Sequence, residues 1–410
     1  MQTVLDRFIR YIQIDTQSDP HTATSPSTAK QLDLAHLLMA ELNQLGLQNV
    51  ILDTNGILTA TLPANTQQPV PIIGLMAHMD TSPAFSGAGV RPQIIESYNG
   101  QDIPLPGAPG MALSPERFPE LRGLVGQTLI TTDGTTLLGA DDKAGIAEIL
   151  AVIDTLVSHP DISRGTLKVA FTPDEEIGTG ARLFDTAAFG ADFAYTLDGG
   201  PVGEISYENF NAACAEITLQ GRSVHPGTAK NKMINALQVA IELHNALPAV
   251  ERPEHTEGYQ GFFHLVEMRG DVEKAHLEYI IRDHDRQRFE ARKALLQDTA
   301  ATLNQTYGSG TVTLELRDQY YNMKDKLQPV MHIVETAAEA MHLLNIEPKI
   351  WPIRGGTDGA QFSYKGLPCP NLFTGGGNAH GPFEFVSVQQ MEQAVLVVLK
   401  IIELYTTRQS

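Results

Sequence analysis

The chain has 410 residues and a formal net charge of −19, with 48 acidic against 29 basic side chains. This balance argues against a nucleic-acid partner, because phosphate binding requires a basic face. The length exceeds that of one ordinary hydrophobic core, so we expect two domains.

The cysteine content and the apolar pattern indicate a compartment. Two cysteines, Cys214 and Cys369, do not make a disulfide framework, so we expect a reducing, cytoplasmic location. Residues 1–8 lack the basic region and apolar core of a signal peptide. Charged or polar residues interrupt every long apolar stretch, so we expect no membrane partner and no transmembrane helix.

Helix-like and strand-like patterns alternate from residue 1 to about 205, which predicts a helix-covered, mostly parallel sheet in an α/β fold. Residues 27–45 have the apolar spacing of a helix, with Gly46 as its stop. Residues 82–126 are rich in glycine and proline and predict a long excursion that includes a hairpin.

A different pattern begins near residue 207. Its order is strand, helix, strand, strand, helix, strand, which is the ferredoxin-like arrangement of an α+β domain. The predicted elements are residues 213–219, 235–247, 261–269, 276–282, 285–303 and 311–316. We therefore predict one domain from residues 1–207 and 323–410, and an inserted smaller domain from residues 208–322.

Three acidic residues, Asp174, Glu175 and Glu176, follow the strand-like run 167–172. The carboxyl ends of strands bind ligands in α/β folds. Like charges packed together require a positive partner, usually a divalent metal, and a spare carboxylate can then act as a base. A solvated acidic turn is the simpler explanation for an isolated match.

Four more positions in the sequence carry residues that can bind a metal, each at the end of a strand-like run or in a glycine-rich loop. Each alone fits a structural residue or a helix cap, but together they are hard to explain as independent caps. They are His78 with Asp80 after the run 70–77, Asp141 before the helix-like stretch 146–156, Asp198 after the run 191–197, and His380 in a late glycine-rich loop.

Zinc binds imidazole nitrogen and carboxylate oxygen and keeps an open position in catalytic sites. With Asp141 shared, each of two metals would receive one histidine, one carboxylate and the bridge; the other ligands are His78, Glu176, Asp198 and His380. Glu175 is then free to act as the base, and Asp80 suits orientation of the His78 ring. Cobalt or manganese can also occupy such sites.

These motifs, in this order, resemble the dinuclear zinc exopeptidase family, and the resemblance runs essentially from end to end. The resemblance implies two Zn²⁺ per chain, a catalytic domain with an inserted lid or dimerisation-type domain, and small peptides as substrates. Within the family the chain is most similar to tripeptide aminopeptidases. The supporting segments are residues 78–80, 138–147, 171–178, 225–230, 281–283, 352–360 and 375–381.

Three further candidate residues lie in these segments, and the resemblance implies the role of the first. His225 would hydrogen-bond the developing oxyanion, although a histidine in a turn is more often incidental. Arg354 could hold a peptide carboxylate through a two-pronged bond, or lie exposed in a loop. Arg282 could assist in substrate binding, or form an ordinary surface ion pair with Asp283.

Several alternatives stay open at this point. A dipeptidase, a carboxypeptidase or an N-acyl amino acid deacylase could use the same metal site. A non-catalytic peptide-binding protein would be expected to lack the base or a ligand, and all of them are present. The sequence does not identify the carboxylate that binds the substrate amine, and it leaves open a monomer or a homodimer.

Overall fold

The computed structural model describes residues 2–407 of the chain. The fold is divided into two compact units. Unit 1 comprises Met1–Tyr207, Asp325–Trp351 and Thr357–Ser410, and unit 2 comprises Glu208–Lys324 and Pro352–Gly356. No helix among the described residues is long and apolar enough to cross a membrane.

The α-helices, in chain order, are α1 (Val4–Ile12), α2 (Gln31–Gln44), α3 (Ala140–Ser158), α4 (Gly180–Leu183), α5 (Thr186–Phe189), α6 (Ala236–Ala246), α7 (Arg286–Tyr307), α8 (Lys324–Leu327), α9 (His332–Leu343), α10 (Asp358–Tyr364) and α11 (Val388–Thr407). The strands are β1 (Gln48–Leu52), β2 (Leu58–Leu62), β3 (Ile73–His78), β4 (Pro92–Ile95), β5 (Ile103–Pro104), β6 (Ala112–Leu113), β7 (Leu129–Thr132), β8 (Leu167–Thr172), β9 (Phe193–Gly199), β10 (Glu204–Ser206), β11 (Asn211–Gln220), β12 (Phe262–Gly270), β13 (Lys274–Asp283), β14 (Val312–Tyr320), β15 (Lys349–Ile350), β16 (Asn371–Phe373), β17 (Gly376–Gly377) and β18 (Phe385–Ser387).

Unit 1 is built on an eight-stranded sheet in the order β1-β2-β8-β3-β9-β16-β10-β15. Its centre is parallel, since β3 pairs in parallel with both β8 and β9, and β9 pairs in parallel with β16. Every residue of β3 is buried, so both faces of the sheet are covered, as expected for a parallel sheet. Helix α3 contacts β3 and β9 and also packs on α1 and α11. The predicted α/β fold with a mostly parallel sheet is confirmed.

Two helices differ from their predicted starts, and local contacts explain the first difference. Helix α2 begins at Gln31 and not at residue 27, because Ser27 is held away by hydrogen bonds from its amide and hydroxyl to Asp174. Helix α3 begins earlier than residue 146. Its first turn is not regular, since Asp141 and Asp142 have non-helical backbone angles.

The excursion at residues 82–126 is more ordered than its composition indicates. It contains β4, the antiparallel hairpin β5–β6 and a 3₁₀ turn at Pro119–Leu124. Strand β4 pairs with β7, and β7 pairs with β18 from the end of the chain. The excursion therefore helps to build a second, four-stranded antiparallel sheet.

Unit 2 has the predicted ferredoxin-like order. Its antiparallel strands lie in the order β12-β13-β11-β14. Strands β11 and β13 alternate buried and partly buried residues, as strands do when one face packs on a core. Helices α6 and α7 contact each other and these strands. The strands predicted at residues 213–219, 261–269, 276–282 and 311–316 correspond to β11, β12, β13 and β14.

The boundary between the units differs from the predicted one at two places. The insertion ends at Lys324, two residues later than predicted, and the short segment Pro352–Gly356 groups with unit 2. Hydrogen bonds explain the grouping. The Ile353 amide donates to the Glu208 carbonyl at 2.8 Å, and His284 Nε2 lies 3.1 Å from the Ile353 carbonyl.

The core of unit 2 gives a test of this architecture. Leu277 in β13 is fully buried among the side chains that α6 and α7 contribute. We expect Leu277→Ala to lower the free energy of unfolding by about 2–5 kcal/mol, through lost burial and the cavity left behind. Urea denaturation followed by circular dichroism measures this. Leu295→Ala, at a position 37% exposed on α7, is the control; equal midpoints for the two variants would contradict the assigned core.

Candidate metal centre

Two candidate ligands come from neighbouring strands of the unit 1 sheet. His78 is the last residue of β3, and Asp198 is the last residue but one of β9. Because β3 and β9 are parallel neighbours, their carboxyl ends meet at one edge of the sheet. The sequence analysis predicted metal ligands at the carboxyl ends of these strands.

The ligand atoms form two groups, each within 4.8 Å, and Asp141 belongs to both. In the first group, His78 Nε2 lies 2.9 Å from Asp141 Oδ1 and 3.8 Å from Asp198 Oδ1. In the second, His380 Nε2 lies 3.0 Å from Asp141 Oδ2 and 3.0 Å from Glu176 Oε2. Each oxygen of Asp141 thus faces a different histidine, which is the arrangement a bridging carboxylate requires.

The position of Asp141 depends on a residue that the sequence did not single out. The buried Glu384 carboxylate accepts hydrogen bonds from the amides of Leu138 at 2.7 Å, Gly139 at 2.8 Å and Asp141 at 3.0 Å. Burial raises the pKa of Glu384 to about 7, although these donors oppose the rise. No local pattern around Glu384 distinguishes it from other loop glutamates, so only the fold reveals this contact.

The three consecutive acids Asp174, Glu175 and Glu176 have different structural roles. Asp174 has a φ of 59° and is fully buried. Its carboxylate accepts from the Ser27 amide at 2.8 Å, the Ser27 hydroxyl at 2.5 Å and Gln31 Nε2 at 2.7 Å. Asp174 therefore anchors the segment before α2, while Glu175 and Glu176 remain for the site.

Asp80 holds both sides of the candidate site. Its carboxylate accepts from the amide of Glu175 at 2.9 Å and from that of Glu176 at 3.2 Å. Its backbone carbonyl lies 3.1 Å from His78 Nδ1, and its Oδ1 lies 3.4 Å from the same nitrogen. A proton on Nδ1 directed at this carbonyl leaves Nε2 as the atom available to a metal. The sequence suggested orientation of the ring; the contact to Glu175 and Glu176 emerges from the fold.

The charges at this edge shift the titration of its members. Burial raises the pKa of the Glu175 carboxyl well above its usual range, and the charge of Asp198 adds to the rise. Burial likewise raises the pKa of Asp198. Hydrogen bonds to Asp141 and Glu176 raise the pKa of His380 to about 11. Protons on the imidazoles thus supply the positive charge that the acids need, and a metal ion competes with them for the same atoms.

The donor set fits divalent metal ions. It offers two imidazole nitrogens and carboxylate oxygens, with no thiolate, which suits zinc and related metals. Glu176 Oε1 is buried without a hydrogen-bond partner among the described residues, and an unsatisfied buried carboxylate oxygen is costly. A metal at the second group would satisfy the Glu176 carboxylate.

The other three candidate residues belong to unit 2. His225 is exposed in the turn before Pro226, and its Nδ1 accepts from the Gly227 amide at 3.1 Å. Arg282 Nη1 donates to the Arg354 carbonyl at 3.1 Å. The guanidinium of Arg354 is engaged on both Nη atoms, by carbonyl groups of the segment 256–260.

Residues 137–404 match the model of the peptidase family M20/M25/M40, and the chain belongs to this family. Peptidase T of Geobacillus kaustophilus (strain HTA426) is 58% identical over 409 residues, which cover 100% of both chains. Two solved structures share the fold. A tripeptidase from Staphylococcus aureus superposes with a TM-score of 0.79 at 23% identity over 99% of both chains. An aminopeptidase PepT from Bacillus cereus ATCC 10987 superposes with a TM-score of 0.78 at 24% identity over 98% of both chains.

The shared position of Asp141 predicts a linked loss of metals. Because both groups use its carboxylate, we expect Asp141→Ala to retain less than one tightly bound metal per chain after dialysis, against two in the unchanged protein. Elemental analysis measures the content. Asp161→Ala, at an exposed position of the same unit, is the control. Two metals retained by Asp141→Ala would assign the bridge to another group.

Proposed function

We propose that this chain is a metallo-aminopeptidase that removes the N-terminal residue from tripeptides with the help of two zinc ions. The observation that carries the proposal is the sharing of Asp141 by two metal-ligand groups beside Glu175. The full-length similarity to a peptidase T supports the substrate class. A small peptide is the proposed partner.

His78, Asp198 and Asp141 would hold one ion, and Glu176, His380 and Asp141 the other, as their distances indicate. When bound, the ions polarise the peptide carbonyl and lower the pKa of a nearby water. Cobalt or manganese would serve with the same donor set.

Glu175 is proposed as the proton carrier. Of the three acids in the loop, Glu175 neither belongs to a metal group nor anchors the segment before α2, as Asp174 does. Its backbone amide donates to the Asp80 carboxylate at 2.9 Å. Its raised pKa suits a group that accepts a proton from the attacking water and returns it to the leaving amine. Asp80 supports this role by positioning the carboxylate.

His225 is proposed to stabilise the oxyanion of the transition state. Its Nδ1 accepts a hydrogen bond from Gly227, so its ring proton is carried on Nε2. Nε2 is therefore a hydrogen-bond donor on an exposed turn, as the role requires. The proposal needs this turn to reach the metal centre during turnover, within one chain or between the subunits of a homodimer.

Recognition of the substrate carboxylate is assigned to the two arginines with unequal support. Both Nη atoms of Arg354 already donate within unit 2, which argues against a two-pronged grip by this residue. Arg282 donates from Nη1 to the Arg354 carbonyl, so its guanidinium is less engaged than that of Arg354. We therefore favour Arg282 for the carboxylate and regard Arg354 as its support.

We propose a cytoplasmic location. The described residues contain two free cysteines, Cys214 and Cys369, in agreement with a reducing compartment. The net charge of −19 disfavours nucleic acid.

A substrate panel tests the proposed activity. Metal-loaded protein is incubated with Ala-Ala-Ala, Ala-Ala, N-acetyl-Ala-Ala-Ala and N-acetylalanine, and the products are identified by mass. We expect Ala and Ala-Ala from the tripeptide and little turnover of the other three. Faster turnover of Ala-Ala indicates a dipeptidase. Cleavage of the acetylated peptide indicates a carboxypeptidase or a deacylase, and binding without cleavage indicates a binding protein.

The proton-carrier role predicts the behaviour of Glu175→Gln. We expect kcat to fall by about 10²–10⁴-fold, the usual contribution of a general acid–base group, while both metals are retained. Steady-state kinetics and elemental analysis measure these quantities. Glu116→Gln, at an exposed position, is the control. Near-normal kcat at full metal content would reject the assignment.

The oxyanion role predicts a different result for His225→Ala. We expect kcat to fall by about 10²–10³-fold, as for loss of one oxyanion donor, with a smaller change in KM and unchanged metal content. His255→Ala, also exposed in unit 2, is the control. A change confined to KM would make His225 a ground-state binding residue.

Mixing His225→Ala with Glu175→Gln protein separates the two routes to the metal centre. If the histidine acts across a homodimer, mixed dimers contain one site with both residues intact and recover activity. No recovery despite verified subunit exchange would place His225 in its own chain's site.

A further inference from the structure

A cavity of ≈ 280 Å³ opens beside the candidate metal centre, within unit 1. Its walls come from the start of α3, the end of β9 and the glycine-rich segment before His380. Asp141 and Asp198 contribute to the lining, so a ligand in the cavity would adjoin both metal groups. None of the roles assigned above uses this space.

The charge of the cavity selects one end of a peptide. Four carboxylates line it, and no lysine, arginine or histidine is among its described lining residues. Two of the four, Asp142 and Glu384, lie outside the metal groups. The amino group of a peptide is largely protonated near neutral pH, and the carboxyl group is negative. With metal bound at Asp141 and Asp198, the carboxylates of Asp142 and Glu384 remain, and they suit the amino end of a peptide better than its carboxyl end.

Glu384 has capacity for such a contact. Its Oε2 accepts the amides of Leu138 and Gly139, but its Oε1 accepts only that of Asp141 among the hydrogen bonds found. A carboxylate oxygen has about two acceptor sites. An ammonium group in the cavity can thus bind Oε1 without breaking the contacts that hold Asp141.

A second polar group in the wall is unsatisfied. Asn378 lines the cavity, and its Nδ2 is buried without a hydrogen-bond partner among the described residues. Leaving a buried donor unpaired costs about 1–3 kcal/mol. Because this nitrogen has no accessible surface, a molecule in the cavity does not reach it, and the Asn378 amide only shapes the wall.

The wall also has a gap where a side chain fits. A Cβ at Gly376 would contact Thr374 Oγ1 at 3.6 Å and Ala140 Cβ at 3.9 Å, and both residues line the cavity. These are ordinary contact distances, so a side chain at this position is tolerated and fills part of the cavity. At Gly377, by contrast, a Cβ would meet the Phe385 ring at 2.6 Å. The absence of a side chain at Gly376 thus leaves this part of the cavity open to a ligand.

We infer that this cavity is the subsite for the first residue of the peptide: Glu384 binds its ammonium group, and the absence of a side chain at Gly376 leaves room for the side chain of that residue. The inference rests on the proposed aminopeptidase function and identifies the amine-binding carboxylate that the sequence does not reveal. It also predicts tolerance of large first residues.

Gly376→Val tests the size limit. The substrates are X-Ala-Ala and Ala-Ala-X, with X as Gly, Leu or Phe. We expect kcat/KM for Leu-Ala-Ala and Phe-Ala-Ala to fall tenfold or more, because a pocket discriminates by about 10–200-fold per methylene-sized difference. Gly-Ala-Ala should stay within about threefold, and the Ala-Ala-X series should change evenly. Gly123→Val, where a Cβ meets nothing within 4 Å, is the control.

Two kinetic results would overturn the inference. Selectivity that shifts at the third residue would assign the cavity to the carboxyl end. An equal loss for every substrate at unchanged metal content would show that Gly376 does not bound a side-chain subsite.

A binding measurement keeps this test separate from the proposed reaction, since it needs no turnover. Leucinol, N-acetyl-leucinol and ethanolamine are titrated calorimetrically into metal-loaded protein. We expect leucinol to bind at least tenfold more tightly than its acetylated form, and Gly376→Val to weaken leucinol but not ethanolamine. Equal binding of the acetylated form would reject the ammonium site, even if the protein cleaves tripeptides. Failure of tripeptide cleavage with these binding results would reject only the proposed function.

Discussion

The gathering of carboxylates at one buried edge of a parallel sheet is the constraint on which the rest of unit 1 depends. Burial raises the pKa of Glu175 and of Asp198, so their charged forms are unfavourable without a positive partner. The raised pKa of His380, about 11, shows how strongly the same site attracts positive charge. Divalent metal ions compensate the buried negative charge better than protons do, because one ion can bind several of the ligand atoms at once.

Like charges at short range would separate unless the chain held them in place. The structure does this with other carboxylates that are not ligands. Asp80 binds the backbone of the Glu175 loop, Glu384 binds the turn that leads to Asp141, and Asp174 binds the segment before α2. In each case the acceptor is buried and the donors include backbone amides, which are strong partners for a carboxylate. Some of the buried acids are therefore candidate metal ligands, and others hold the backbone around the site in place.

Unit 2 follows a separate principle, since its sheet and two helices enclose a core of their own. Its polar candidates are sorted by their local contacts. The guanidinium of Arg354 donates to carbonyl groups of its own unit. His225 lies in an exposed turn, and its Nδ1 accepts a hydrogen bond, so its Nε2 carries the hydrogen and can donate. Candidate residues that look equivalent in the sequence thus differ in the hydrogen-bond donors that remain available to a substrate.

The sequence by itself determined the elements and the ligand types. Strand-like runs located strands in both units, and the residues at the ends of such runs supplied His78, Glu176 and Asp198 of the candidate centre, because the ends of parallel neighbours meet at one edge. Only the tertiary structure decided which acids are framework and where the excursion at residues 82–126 pairs. Glu384 contacts Leu138 across 246 positions of chain, and β7 pairs with β18 from its far end. Such contacts arise from the packing of distant segments and leave no periodic trace in the local sequence.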